Sequence, residues 1–419
     1  MNKYIFITLS ITNVGGAEQY IYNKTRFLKD KGYRVFVFSS LNRPILIRGL
    51  SEYRKYIIPA LMYSPSFYSK KNIEMVISEI TNLIDIKEND KLFIESHNIC
   101  QGLWGELLAQ KINGKNVIFN LQEKHMYSRS EKDYLWFKLK RKELLGITKD
   151  SVSQMFKKDI PCRKWMKFSA SCNNVVEDVE DVFSSKLDKK AKYTFGSIGR
   201  LEKEFVPHLV DTLIAYCTLH SDENYNLVFI GGSSEVGIED AIRKKIKVVD
   251  NINLIITGFL YPIPRTLINN VDLFISTAGS ATVSYKEKAK TIKVHPITAE
   301  PTQIMGYTYD SITECTMFDV ISNTSLIEQI DLALSGISIK YPDDNNYYED
   351  RMHFAYLEQL MVFEKSTNNN NYFSIYNVKP IFNAKSVMYC LLGKTFGDEK
   401  MQFVLEQLRK SKIAKKVFK

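Results

Sequence analysis

Little in this chain of 419 residues points to a specialised architecture. Glycine (19) and proline (11) are scarce, and with 45% hydrophobic and 25% charged residues this excludes a collagenous, low-complexity or disordered protein. The six cysteines, Cys100, Cys162, Cys172, Cys217, Cys315 and Cys390, are far apart. No pair has the spacing of a zinc knuckle or a Cys-x-x-Cys motif, so they read as reduced thiols of a cytosolic protein. The six histidines form no His-Glu-x-x-His pattern, and no structural metal is expected. No apolar run approaches the roughly 18 to 20 residues that span a bilayer. Met1 to Ile11 is followed by Thr12-Asn13 and Gly15-Gly16 without a small-residue cleavage site, so it reads as a buried first strand, not a signal peptide. The Gly-x-Gly-x-x-Gly fingerprint is absent, which argues against a NAD enzyme. No internal repeat is found.

What is present is a long globular chain with a basic balance. Its 57 basic and 47 acidic residues leave a net charge of +10, suited to anions in general: nucleotide sugars, anionic lipid surfaces or nucleic acid. No nucleic-acid recognition motif accompanies the charge, so nucleic acid is not an expected partner. The length suggests two or three domains, each large enough for its own core.

The run Lys3-Tyr4-Ile5-Phe6-Ile7-Thr8-Leu9, a glycine turn, a helix carrying Ala17, Tyr20, Ile21, Phe27 and Leu28, and a second strand at Arg34 to Ser39 form a β-turn-α-β unit. Strands separated by helices imply a parallel sheet. The grammar repeats with strands at Lys91 to Glu95 and Asn116 to Asn120, flanking a helix from Gly102 to Gln110. The pattern loosens between Arg163 and Lys192, where a domain boundary is expected. A second α/β series then follows: strands at Tyr193 to Ile198, Asn226 to Ile230, Asn253 to Thr257 and Val271 to Ser276, with helices at Val206 to Leu219 and Ile238 to Val248. Beyond residue 320 only helical stretches stand out, at Leu326 to Leu334, Glu349 to Lys365 and Lys400 to Lys410. The expected organisation is an N-terminal Rossmann-like domain over 1–175, a linker over 176–192, a C-terminal Rossmann-like domain over 193–345 and a helical extension over 346–419.

Open α/β sheets bind ligands at the carboxyl ends of their strands, where helix N-termini favour phosphate. The strand-to-helix turns are therefore the places to inspect. The first, Asn13-Val14-Gly15-Gly16-Ala17-Glu18, lets a ligand approach the main chain or is an ordinary tight turn. The second, Gly196-Ser197-Ile198-Gly199-Arg200-Leu201-Glu202-Lys203, puts two cations beside the crevice, where they could neutralise a departing diphosphate. The third, Ser276 to Ser284, is a run of small residues that either cradles a phosphate or packs helix on strand closely.

In order and spacing, Gly-Gly-Ala-Glu, Ile-Gly-Arg-Leu, Phe229-Ile230-Gly231-Gly232-Ser233, Thr257-Gly258-Phe259 and Val271 to Ser276 resemble a GT-B glycosyltransferase of the glycosyltransferase group 1, family 4-like kind found in bacterial surface-polysaccharide synthesis. The resemblance covers roughly residues 1 to 310. It implies an α/β fold of two Rossmann-like domains facing each other across a cleft, the N-terminal one for the acceptor and the C-terminal one for a nucleotide sugar, with UDP favoured. It further implies that Arg200 and Lys203 hold the diphosphate, that the main chain near Phe259 and Leu260 meets the base, and that Gly279, Ser280, Ala281 and Thr282 bind phosphate at a helix start. Gly15 and Gly16 would approach the diphosphate from the other domain. No cofactor beyond the nucleotide sugar is implied, and cationic side chains and helix N-termini stand where a metal would otherwise serve.

The sequence departs from the family in two ways. The Glu-x7-Glu pattern of retaining members is absent, and Ala278-Gly279-Ser280-Ala281 stands in its place. The run is closer to the Gly-Ala-x-Thr-Val-Ser-Glu loop of cell-wall N-acetylglucosaminyl transferases, but Tyr285 replaces the ribose-binding Glu of that loop. Glu287 is either its substitute or an exposed helix carboxylate. In the N-terminal domain the strand ends carry Glu95-Ser96-His97-Asn98 and Asn120-Leu121-Gln122-Glu123-Lys124-His125, and Gln122 stands where family members often have His. Glu123, His97 and His125 are the candidates for the base that accepts a proton from the acceptor hydroxyl.

The stretch Arg129 to Arg141 interleaves Lys132, Lys138, Lys140 and Arg141 with Tyr134, Trp136 and Phe137. It is either an amphipathic helix for a membrane surface or lipid-linked acceptor, or an ordinary helix with a solvated basic face. The terminal Arg409 to Lys419 has six basic residues and no acid, a second candidate for anionic lipid. The expectation is a cytosolic hexosyltransferase, either free or peripheral at the inner face of the membrane, taking a saccharide or lipid-linked saccharide acceptor. The rival expectations are a GT-B-like sugar-nucleotide epimerase and a catalytically silent nucleotide- or glycan-binding subunit.

Overall fold

The structure is a computed structural model. It describes residues 1–121, 127–147, 151–168, 174–233, 235–307, 324–341, 346–366, 371–379 and 391. The chain divides into two units, Met1–Ser171 with Tyr348–Lys419, and Cys172–Tyr347. Each is a Rossmann-like α/β unit, as expected from the sequence.

Unit 1 is built on strands β1 (Asn2–Ile7), β2 (Arg34–Phe38), β3 (Lys91–His97), β4 (Lys115–Asn120) and β5 (Leu144–Gly146), all parallel, in the order β2-β1-β3-β4-β5. The strands read as unbroken apolar runs because both faces are covered; Tyr4, Ile5, Phe6 and Ile7 are all fully buried. The helices are α1 (Gly16–Asp30), α2 (Lys70–Ile84), α3 (Asn98–Ile112), α4 (Arg129–Lys140) and α5 (Ser151–Phe156). Strand order reverses between β1 and β3, so the carboxyl ends of those two strands mark this unit's ligand crevice.

Unit 2 begins with β6 (Val176–Glu177) and carries β7 (Tyr193–Ile198), β8 (Tyr225–Ile230), β9 (Ile252–Ile256), β10 (Ile263–Pro264), β11 (Leu273–Ser276), β12 (Thr291–Val294) and β13 (Pro301–Ile304). Six of them form a sheet in the order β13-β12-β11-β7-β8-β9, parallel except for β13. β6 and β10 pair separately, so residues expected to be linker belong to unit 2. Its helices are α6 (Phe205–Leu219), α7 (Ile238–Ile246), α8 (Arg265–Asn269), α9 (Ala278–Lys286) and α10 (Leu326–Leu334). A core with Phe195, Leu209, Leu227, Phe229 and Ile275 lies on one face of the sheet, and one with Val228, Ile255, Leu267 and Phe274 on the other. The order reverses here between β7 and β11.

The last helix, α11 (Asn346–Lys365), is not a separate extension but belongs to unit 1. Its Tyr356, Gln359 and Phe363 are buried there, and the Phe363 ring packs edge-on to Tyr4 and Phe93. The expected helix Lys400 to Lys410 lies outside the described residues.

Of the two readings of α4, the structure favours the ordinary helix, with Lys138 withdrawn from its basic face. Lys138 is buried between Glu106 (2.8 Å) and Glu143 (2.6 Å), Trp136 packs on Phe156 and Phe137 on Phe373, so the aromatic side chains serve the interior. Ser128 and Glu131 form a capping box that starts the helix. Among the described residues no helix is long and apolar enough to cross a membrane.

Candidate functional site

The carboxyl edge of the unit 2 sheet is assembled by glycines and short polar links. Gly199 N–H donates to the Ile230 carbonyl (3.0 Å), Leu201 N–H to the Gly232 carbonyl (3.1 Å) and Gly231 N–H to Thr257 Oγ1 (3.1 Å). These bonds tie the loops after β7, β8 and β9 together. Gly231 has φ +154°, and a Cβ there would run into the Gly199 carbonyl oxygen, so no larger residue fits. Ser276 Oγ accepts from Ile198 N–H at 2.9 Å, which joins the end of β11 to the end of β7 at the switch point.

Around this edge stand most of the residues singled out from the sequence. Arg200 is 53% exposed at its side chain and lies 3.3 Å from Glu202 Oε1. Lys203 leans back toward Gly199, where a Cβ would sit 3.4 Å from its Nζ. Burial, and secondarily the Arg200 charge, lower the Lys203 pKa below the ordinary lysine value, against a smaller opposing pull from Glu202. Two neighbouring cations under partial desolvation are a site that an anion would relieve. Gly258 adopts φ +70° and places Phe259, 37% exposed, on the rim; Leu260 instead packs against the Ile255 and Phe274 core.

Helix α9 supplies the remaining groups. Its N-cap residue Thr277 makes no side-chain capping bond; its Oγ1 is buried and has no partner among the described residues. Ala278 has φ +48°, a left-handed conformation that costs an alanine about 1 kcal/mol and recurs where function needs it. Gly279, Ser280, Ala281 and Thr282 form the first turn that follows, and the Ser280 N–H reaches only the Thr277 carbonyl at 3.2 Å. Uncompensated first-turn N–H groups are a natural place for phosphate oxygens. Glu287 lies at the opposite end of α9, roughly 12 Å along the axis from Gly279 at 1.5 Å per residue. Its carboxylate is paired with Arg265, which also holds Asp178 at 3.1 Å.

Sequence reasoning placed Thr277 within the small-residue run Ser276 to Ser284 but did not single it out. It also missed Gln303, which β13 brings beside Lys293, itself in register with Ser276; the Gln303 amide is fully buried and neither polar atom has a partner among the described residues. β12 and β13 fall in a stretch whose strand signal is short, four residues each.

In unit 1 the corresponding edge is filled from within. His97 is 1% exposed, its Nε2 lies 2.9 Å from Glu95 Oε1 and its Nδ1 3.1 Å from Thr8 Oγ1. Both ring nitrogens are thus occupied, and His97 belongs to the core rather than to a face open to substrate. Glu95 bonds Tyr4, Tyr20, Lys24 and His97; burial raises its pKa, but Lys24 and His97 outweigh this and hold it down at about 2. Gly15 caps α1 without a side-chain bond, Gly16 is its first residue, and the Glu18 carboxylate turns back to within 2.7 Å of where a Gly15 Cβ would sit. A carboxylate therefore already lies beside the turn that the sequence pointed to for a diphosphate. Glu123 and His125 fall outside the described residues. Among the described residues no group of three or more His, Cys, Asp or Glu is placed to hold a metal ion.

No protein-family model matches the chain, and no curated protein matches it in sequence. Solved structures do match. A glycosyltransferase from Rickettsia africae ESF-5 superposes with a TM-score of 0.57 at 15% identity, over 87% of this chain and 96% of that one. The lipopolysaccharide outer core galactosyltransferase WaaB matches at TM-score 0.45 and 14% identity, over 87% and 97%. A UDP-GlcNAc 2-epimerase from Neisseria meningitidis, solved with UDP-GlcNAc, matches at 0.42 and 12%, over 98% and 100%. The first of these, together with the two Rossmann-like units, shows that the chain has the GT-B glycosyltransferase fold.

Proposed function

We propose that this protein is a glycosyltransferase that moves a sugar from a nucleotide diphosphate donor, with UDP favoured, to a saccharide or lipid-linked saccharide acceptor in surface-polysaccharide synthesis. One observation supports the reading: at the switch point of unit 2, the cations Arg200 and Lys203 share a sheet edge with a helix start that has no side-chain cap and with the buried Thr277 hydroxyl, which has no partner among the described residues. In this reading Arg200, Lys203 and the first turn of α9 bind the diphosphate, and Phe259 borders the base. As the glycosidic bond to the diphosphate breaks, its electron pair leaves with the nucleotide, and these groups stabilise the added charge. The acceptor hydroxyl bonds to the sugar carbon and gives its proton to a base from unit 1; on sequence grounds that base is Glu123 or His125. Glu287, paired with Arg265, is assigned to holding α9 in place.

The test is incubation with a panel of nucleotide sugars, with and without oligosaccharide and lipid-linked acceptors, after a thermal-shift screen for the donor. Acceptor-dependent release of free nucleotide is expected. A changed sugar without release would assign epimerisation instead, and binding with neither would leave a nucleotide-holding subunit.

A further inference from the structure

Helix α11 carries large apolar side chains on two faces, and unit 1 takes up one of them. On the inner face Gln359 Oε1 accepts from the buried Lys24 ammonium at 2.6 Å, and Phe363 packs edge-on to Tyr4 and Phe93. On the outer face Phe354, Leu357 and Met361 are 61%, 43% and 44% exposed. Their i, i+3, i+7 spacing aligns them in one stripe along the helix, with half-buried Leu360 at its border. Apolar residues exposed singly are ordinary. Three in line, on a helix fixed in place from behind, make a preorganised surface for a partner.

We propose that this stripe is the contact between two copies of the chain, with their α11 helices packed antiparallel about a two-fold axis through Leu357. The argument for this occupant is that the face is complementary to itself. The axis sets Leu357 against Leu357 of the partner subunit, and residues equally far from it on opposite sides then meet. On one flank Phe354 meets Met361 of the partner subunit. On the other, Leu360 and Glu364 come beside the partner's His353, whose imidazole N–H can donate to the Glu364 carboxylate. His353 is already held by the Phe27 ring, with centroids 5.1 Å apart. Antiparallel packing also puts helix ends of opposite partial charge side by side. An anionic lipid surface fits less well. In α11 Glu349, Asp350, Glu358 and Glu364 stand against Arg351 and Lys365, the reverse of the Lys- and Arg-rich face of an interfacial helix. The helix has 20 residues, about 30 Å at 1.5 Å per residue, so the contact is small and a reversible dimer with a dissociation constant on the order of 10 µM is expected.

The experiment uses the full-length protein and no substrate, so its outcome is separate from that of the glycosyltransferase assignment. Sedimentation velocity over roughly 1 to 100 µM should show a monomer–dimer equilibrium that follows mass action. Leu357→Glu sets like charges on the axis and should raise the dissociation constant by about tenfold or more, while circular dichroism and the thermal midpoint stay in place because the side chain faces outward. Phe354→Ser, off the axis, should weaken the dimer less and serves if the glutamate variant does not fold. Only a residue on the axis lies beside its own copy, so Leu357→Cys treated with a short bismaleimide should form covalent dimer above the wild-type background. Met75→Cys, at a position 61% exposed on α2, should not. A chain that is monomeric throughout, a dimer that both stripe variants leave intact, or equal cross-linking at positions 357 and 75 overturns the proposal. A link from Leu357→Cys to Cys390 of the same chain overturns it in favour of the chain's own terminal residues. Binding of the monomer to phosphatidylglycerol vesicles that Leu357→Glu abolishes overturns it in favour of lipid.

Discussion

The two units carry the same device at the same place and complete it differently. In each, a strand beside the switch point ends, one residue takes a left-handed backbone, and a helix begins: β3, Asn98 at φ +65° and α3 in unit 1; β11, Ala278 at φ +48° and α9 in unit 2. Asparagine tolerates that conformation and alanine does not, so the strain is concentrated in unit 2. The residue just ahead is His97 in one case, with both ring nitrogens bonded inside the protein, and Thr277 in the other, with a buried hydroxyl that has no partner among the described residues. A shared topology therefore does not imply a shared role. At the one edge the last strand residue is bonded from within the protein, and at the other the residue ahead of the helix has no partner for its hydroxyl among the described residues.

Substitutions sharpen the contrast, and the largest effect is expected in unit 1. Glu95→Gln leaves the buried Lys24 without its countercharge and should cost about 4 kcal/mol of folding stability in denaturant titration while donor affinity stays unchanged. The same carboxylate gives a pH signature. Its native pKa of about 2 lies below the unfolded value, so its contribution is complete above the unfolded value of roughly 4.3 and is lost as pH falls from there toward about 2. Acid unfolding of wild type should therefore steepen in that window and be flatter in Glu95→Gln. A wild-type acid profile in the variant would break the comparison.

In unit 2 the order of effects is reversed: function falls while the fold holds. Arg200→Ala should weaken UDP binding more than tenfold by calorimetry, about 1.4 kcal/mol, with the denaturation midpoint nearly unmoved because the side chain is half exposed. Affinity should also drop at alkaline pH below the ordinary lysine range. Burial lowers the Lys203 pKa in the free protein, a bound anion raises it, and binding there must then take up a proton, which calorimetry in buffers of different ionisation enthalpy detects. The smallest change is Thr277→Val. It removes a buried hydroxyl that has no partner among the described residues, so stability should hold or rise by up to about 1 kcal/mol while donor affinity falls several-fold. A stability loss without an affinity loss would show the two edges to be alike.

Much of the framework was legible from periodicity alone. The strand Tyr193–Ile198 and the helix Leu326–Leu334 occur where their apolar patterns place them, because each buries a face that only that spacing can present. Where the signal was short, as at β12 and β13, or polar, as at α4, pattern could not separate strand from loop or an interior face from a lipid-facing one. The glycine turns also announced themselves, since a Cβ at Gly231 has nowhere to go.

Local chain chemistry thus determined where the strands, helices and tight turns fall, for it depends on neighbours a few residues apart. Which polar groups were spent and which were left over was decided only by the tertiary structure. His97, a candidate base when read along the chain, is occupied by Glu95 and Thr8, and its environment is completed from residue 359; Glu287 is occupied by Arg265. A side chain's availability is what remains after every distant partner has been counted, and partners separated by tens to hundreds of residues leave no trace in local sequence.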